Sequence, residues 1–150
     1  ENKQHIQDKK VMELAAGLGL PSVFTANYAQ QIFSSDIEPA AVAFLEQTFR
    51  HHQFQQASCQ VLDWNNVDTV AIPDTLLLSD INYEPGQFDN LLTVIQHFLD
   101  RDATIILSTP QRLMAKDFIS QLLPWCRQQA EVMVTQDAIQ TAISVFVLKK

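Results

Sequence analysis

Apolar positions along this chain follow two spacings, and the two alternate from one end to the other. Residues 10–16 (KVMELAA) form a short apolar run ended by Gly17 and Gly19. Residues 20–29 then read as a helix, with Pro21 suited to its first turn. Residues 31–35 (QIFSS) give a short strand closed by Asp36, and Pro39 opens a helix whose Val42, Leu45 and Phe49 recur at spacings of three and four. A third strand covers 58–62 (SCQVL) and ends at Asp63-Trp64.

Two central runs, Leu76-Leu77-Leu78 and Thr104-Ile105-Ile106-Leu107, are almost continuously apolar. Strands covered by helices on both faces have this pattern, whereas half-exposed antiparallel strands alternate. Between them Phe88, Leu91, Leu92, Ile95 and Phe98 make one helical stripe. Residues 112–128 predict a further helix that Pro124 kinks or ends. Two strands, 131–135 and 141–148, close the chain, joined by the link 136–140 as an antiparallel hairpin.

The resulting order, β-α-β-α-β-β-α-β-α-β-β, predicts one α/β domain over residues 1–150. It is a Rossmann-like, mostly parallel seven-stranded sheet with helices on both faces and a C-terminal antiparallel hairpin. Ligands of such sheets bind beyond the carboxyl ends of the strands. The informative residues are therefore Gly17 and Gly19, Asp36, Asp63-Trp64, and the stretch from Asp80 to Tyr83.

Composition narrows the function. With 47% hydrophobic and 18% charged residues the chain has material for a core and is not disordered. A net charge of −7 argues against a broad phosphate-binding face, so a nucleic-acid partner is not expected. The two cysteines, Cys59 and Cys126, show no zinc-ligand spacing and fit a reducing cytoplasm as small buried hydrophobes. The polar first ten residues resemble no signal peptide, and no apolar run approaches a membrane span.

Two of the three glycines stand in ELAAGLG at the first strand end. Glycine permits a sharp turn and close ligand approach, and the following helix start favours a negative group. A tight strand-to-helix connection without a ligand gives the same pattern. Asp36, after the second strand, is placed to accept ribose hydroxyls, or else to cap a helix. Together they ask for a ribose-bearing ligand, either a dinucleotide or S-adenosylmethionine. The dinucleotide pattern needs a third glycine where Ser22 stands, and Glu13 suits a ligand carrying an ammonium.

The ordered set VMELAAGLGLP, SSDIEP, LDWNN, LLLSDINYEP and ILSTPQR resembles the class I S-adenosylmethionine-dependent methyltransferases. Within them it is most similar to the seven-β-strand protein-lysine methyltransferases of family 16, over about residues 10 to 148. The resemblance implies that Glu13, Ala15, Gly17 and Gly19 line the methionine end of the cofactor. It implies Asp36 for the ribose, Ile37 beside the adenine, Asp63 and Trp64 at the adenine edge and face, and Ser79 closing the pocket. Asp80 and Tyr83 match the family's D-x-x-Y motif, which faces the methyl acceptor; no metal is implied. Ala15 and Leu18 depart from the family's usual glycine and threonine, and an alanine there is strained if its φ is positive. An aromatic segment that precedes the first strand in the family is not found in the nine residues before Lys10, which suggests a truncated N-terminal part.

The function so implied is methyl transfer to a protein lysine. Asp80 would hold the incoming ammonium, Tyr83 would wall it, and Glu84 would attract a basic substrate. Methylation of a small, nicotinamide-like amine and a non-catalytic binding module on the same fold are the competing readings. SDINY lacks the N/D-P-P-Y/F pattern associated with adenine or glutamine methylation. His51, His52 and His97 read as surface residues and Trp125 as core, while Pro110, Gln111 and Arg112 lie where a loop shapes a substrate pocket. Oligomeric state is not encoded in any pattern found.

Overall fold

A computed structural model describes residues 2–82, 84–111 and 113–150, the side chains of Leu113 and Gln136 excepted. Tyr83 and Arg112 lie outside the described residues. The chain divides between Leu78 and Ser79 into two compact units.

The first unit contains β1 (Lys10–Leu14), α1 (Leu20–Thr25), β2 (Gln31–Asp36), α2 (Pro39–His51), β3 (Ala57–Val61) and β4 (Thr75–Ser79), whose last residue begins the second unit. Its strands run parallel in the order β3-β2-β1-β4, with Glu13 in register with Ser34 on one side and Leu77 on the other. Val11, Met12 and Leu14 of β1, a run broken only by Glu13, and Leu76, Leu77 and Leu78 of β4 are all buried, as strands covered on both faces require.

α1 is shorter than the apolar pattern predicts. Asn27 turns its amide back onto the carbonyls of Val23 (2.9 Å) and Phe24 (3.3 Å), closing the helix before residue 29. Pro39 sits at the start of α2, whose Leu45 and Phe49 are buried with Ala16 and flanked by Val23, Phe54, Ala57 and Cys59. Burying Leu45 completely contributes about 2 kcal/mol to holding α2 on the sheet.

The second unit contains α3 (Phe88–Leu99), β5 (Thr104–Pro110), α4 (Lys116–Leu122), β6 (Cys126–Gln136) and β7 (Ile139–Leu148), with antiparallel strand order β5-β7-β6. The α3 stripe is buried at Leu91, Val94, Ile95, Phe98 and Leu99, and Phe88 meets Phe118 of α4 at 5.1 Å between ring centres.

Two expectations need correction here. The helix placed at 112–128 ends at Leu122, and Leu123–Trp125 form a single 3-10 turn around Pro124. Proline lacks the donor that a helix interior needs, and Cys126 onward pairs with β7 instead, across a register shift at Cys126/Gln128. The expected five-residue link is a two-residue turn, Asp137-Ala138, with φ of 48° and 65°. That is the left-handed pair that matches the twist of a tight hairpin. Among the described residues no helix is long and apolar enough to cross a membrane.

Candidate functional site

The carboxyl ends of β1 and β2 build the site in the first unit. After Leu14 the backbone enters three left-handed residues, Ala15 (φ 51°), Gly17 (φ 53°) and Gly19 (φ 68°). The Ala16 amide holds this loop to the Ser35 carbonyl at 2.9 Å, and the Gly19 amide closes it onto the Ala16 carbonyl at 2.7 Å. The two glycines serve different ends. A Cβ on Gly19 would stand 1.9 Å from Cδ2 of buried Leu45, so this glycine lets α2 approach the loop. A Cβ on Gly17 would meet nothing within 4 Å, so its face opens on free space.

Asp36 ends β2 with its carboxylate turned to that loop. Oδ2 accepts the Gly17 amide at 2.8 Å and Oδ1 accepts the Glu38 amide at 2.9 Å. Each oxygen keeps a second lone pair. The two sequence signals, glycine loop and acid, are thus joined by one hydrogen bond. Ile37, next to Asp36, exposes 59% of its surface. α1 has only six residues, so the loop's open backbone, rather than a helix dipole, is the feature that suits a ligand here.

Glu13 lies deeper, with 1% of its surface exposed. Its Oε2 accepts the Ser22 hydroxyl, which in turn lies 2.5 Å from the Ser34 hydroxyl. Oε1 is buried and has no hydrogen-bond partner among the described residues. Burial pushes the carboxyl up to about 7; the Ser22 hydrogen bonds oppose this and the charge of Asp36 adds to it. Ser22 and Ser34 carry no weight in the sequence reading, where Ser22 counts only as a missing glycine. The signal that would have found them is polarity inside an otherwise buried strand and helix start.

Beyond β3, Asp63 caps a 3-10 segment, Trp64–Thr69, its Oδ1 accepting the Asn65 amide at 2.9 Å. Trp64 is half-buried, and the Leu62 amide bonds to the Asp36 carbonyl at 2.9 Å, which ties this corner to the end of β2. Asp63 therefore does the capping work that any Asp at such a corner can do.

In the second unit, Ser79 is half-buried and Asp80 is exposed with a φ of 53°. The Asp80 amide donates to the Ser108 carbonyl of β5 at 2.8 Å. Tyr83, the other expected catalytic residue, lies outside the described residues, as does Arg112. Gln111 is described: its Nε2 donates to Ser144 Oγ at 3.2 Å and to Glu131. Asn82 and Thr109, which the sequence reading passes over, are buried and bonded to each other at 2.6 Å.

The remaining candidates fall on the surface or in packing. His51 and His52 are exposed; His97 is half-buried, with its Nδ1 3.2 Å from a guanidinium nitrogen of Arg101 and its ring against Phe98. Cys59 packs beside Leu45 and Phe49, and burial raises its thiol pKa, with Glu46 adding to the rise. Trp125 is half-buried. Among the described residues no cluster of His, Cys, Asp and Glu could hold a metal ion.

Comparison with known proteins gives the family and the fold. The profile of a family described as lysine methyltransferase matches residues 1–125. The histone-arginine methyltransferase METTL23 of Homo sapiens is 22% identical over 128 residues, 81% of this chain and 67% of that protein. The protein N-lysine methyltransferase METTL21A of Xenopus tropicalis is 27% identical over 124 residues, 79% of this chain and 57% of its own length. The chain spans about half the length of most of the curated relatives it matches, between 45% and 67%. The crystal structure of magnesium protoporphyrin IX methyltransferase (ChlM) from Synechocystis PCC 6803 with bound SAM superposes with a TM-score of 0.69 at 16% identity. It covers 97% of this chain and 73% of that one, and so shows the Rossmann-like fold, seven strands with a C-terminal antiparallel portion. A match over residues 1–125, carried on that fold, makes this chain a member of the lysine methyltransferase family and, by family, a methyltransferase.

Proposed function

We propose that the protein is an S-adenosylmethionine-dependent N-methyltransferase acting on a protein lysine, with residues 1–150 as one functional domain. The observation that carries the reading is the bond between Gly17 and Asp36, which sets an open stretch of left-handed backbone beside a carboxylate. That donor set fits the cofactor: backbone free of side chain for the methionine end and carboxylate lone pairs for ribose hydroxyls. S-Adenosylmethionine supplies, when bound, a methyl group already activated on a sulfonium sulfur.

Ala15, Gly17 and Gly19 give the loop its open course, and Glu13 secures it from beneath through Ser22. Asp36 receives the ribose, with Ile37, Asp63 and Trp64 around the adenine, and Ser79 is a further proposed cofactor residue. Asp80 takes the incoming ammonium through its exposed carboxylate and orients the amine once its proton has left. Tyr83 is its proposed companion in the D-x-x-Y motif. The protein's remaining tasks are alignment and exclusion of water, not covalent chemistry.

The test is transfer of a labelled methyl group from S-adenosylmethionine into cell-extract proteins, followed by residue analysis. Label on lysine supports the reading. Label on arginine, as the METTL23 name describes for that relative, redirects the substrate assignment, and label confined to small molecules excludes a protein acceptor. Asp80→Asn is expected to lower turnover by about 100-fold with cofactor affinity retained; unchanged turnover removes Asp80 from the site.

A further inference from the structure

The stretch that carries Asp80 is held in an unfavourable shape. Asp80 is not glycine, yet its φ is 53°, and a strained residue of this kind persists only where its surroundings over-determine it. Among the described residues, two bonds to the end of β5 contribute to that constraint. The Asp80 amide donates to the Ser108 carbonyl at 2.8 Å, and the Thr109 hydroxyl donates to Asn82 Oδ1 at 2.6 Å. The Pro110 carbonyl, 3.0 Å from the same hydroxyl, is a second and longer acceptor for its one proton. Ile81, between the two bonded residues, is 2% exposed and anchors the same stretch by packing.

Asn82 itself has no exposed surface, and among the described residues its Nδ2 has no hydrogen-bond partner. Packing alone does not account for a carboxamide here. An apolar side chain of similar size would fill the space without burying an unused donor. What the carboxamide adds is the nearer acceptor for the Thr109 hydroxyl, at 2.6 Å against 3.0 Å for the Pro110 carbonyl.

We infer that Asn82 and Thr109 form a latch that positions Asp80 for the methyl acceptor. They are positioning residues, not catalytic ones, and the inference rests on the proposed role of Asp80. Asn82 lies two residues beyond Asp80 and Thr109 lies next to Ser108, so the side-chain bond locks the backbone bond in register. Without it the left-handed turn at Asp80 loses one of these restraints.

Thr109→Val removes the hydroxyl at nearly constant shape, and Thr109→Ser keeps it. Three readouts are needed: the rate of labelled methyl transfer into cell-extract protein at saturating S-adenosylmethionine, the dissociation constant for S-adenosylmethionine, and hydrogen exchange at the Asp80 amide. In Thr109→Val the transfer rate is expected to fall, and Asp80 exchange to accelerate, each by about tenfold, with cofactor affinity unchanged. Thr109→Ser restores the transfer rate and the slow exchange, with affinity again unchanged. Asn82→Leu, which leaves β5 intact, reproduces the valine result and serves if Thr109→Val does not fold. Unchanged Asp80 exchange in the folded variant overturns the latch, and so does faster exchange with an unchanged transfer rate. If the wild-type protein transfers no methyl group, the proposed function fails on its own, and the contrast in exchange between valine and serine still decides whether the latch holds Asp80.

Discussion

The Gly17 amide donates to Oδ2 of Asp36 at 2.8 Å, joining the turn after the first strand to the end of the second. Oδ1 of the same carboxylate takes the Glu38 amide, so one side chain secures both loops of the candidate site. Asp36→Ala leaves two backbone donors without this acceptor. It is expected to cost about 2 kcal/mol of stability in urea unfolding. Calorimetry with S-adenosylmethionine should show at least a tenfold weaker association, about 1.4 kcal/mol or more. A variant that binds as tightly as the wild type would remove Asp36 from the ligand site.

Gly17 and Gly19 share a left-handed φ but differ in what surrounds them, and this separates a binding role from a packing role. Gly19→Ala drives its methyl into Leu45 and is expected to destabilise the protein by about 3 kcal/mol, from strain and overpacking together. Gly17→Ala meets open space and should cost only the strain, about 1 kcal/mol. If the space beside Gly17 is where the ligand lies, Gly17→Ala loses cofactor affinity out of proportion to its small effect on folding. Thermal unfolding with and without S-adenosylmethionine measures both, and a full ligand-induced shift in Gly17→Ala would move the ligand elsewhere.

Glu13 should make stability depend on pH in a direction opposite to that of most carboxylates. Its folded-state pKa is raised to about 7 from an ordinary 4.5, chiefly by burial. Below pH 4.5 the group is protonated whether the chain is folded or not. Between 4.5 and 7 the unfolded chain releases the proton while the folded chain keeps it, so stability falls as pH rises. The full loss is about 3 kcal/mol and is complete above pH 7. Glu13→Gln, neutral and of nearly the same shape, removes this dependence. The stability difference between variant and wild type should therefore grow in the variant's favour from pH 4.5 to 8. A difference that stays flat over this range would show that Glu13 ionises as easily in the fold as outside it.

How far these features were legible in the sequence depends on what each of them rests on. The alternation of apolar runs reports burial directly, so Leu76 to Leu78 and the Leu91–Phe98 stripe identified a strand and a helix without ambiguity. Gly17 and Asp36 were legible because strand ends of such sheets are where ligands collect, although nothing in their spacing says that they touch. Ser22, Ser34, Asn82 and Thr109 were not legible, since a serine, asparagine or threonine is ordinary on any surface and becomes informative only once it is known to be buried. The early start of β6 was hidden for a related reason. Residues 126–130 (CRQQA) have no strand pattern of their own and are strand because β7 offers them a ladder.

In Ala15 shape and identity disagree at the candidate loop. The sequence reading made its cost conditional on the sign of φ, and φ is 51°. In that region the alanine Cβ crowds its own carbonyl, a strain that glycine does not carry. Ala15 is exposed, so its methyl gains little by burial in return. Ala15→Gly also makes the unfolded chain more flexible, which offsets part of the relief. The net expectation is a stabilisation of about 0.5–1 kcal/mol, read as a higher urea midpoint at unchanged slope. Cofactor affinity should rise as well, because the strained loop would no longer resist the course it must take around the ligand. A variant less stable than the wild type would mean that the alanine methyl makes a packing contact that outweighs its strain.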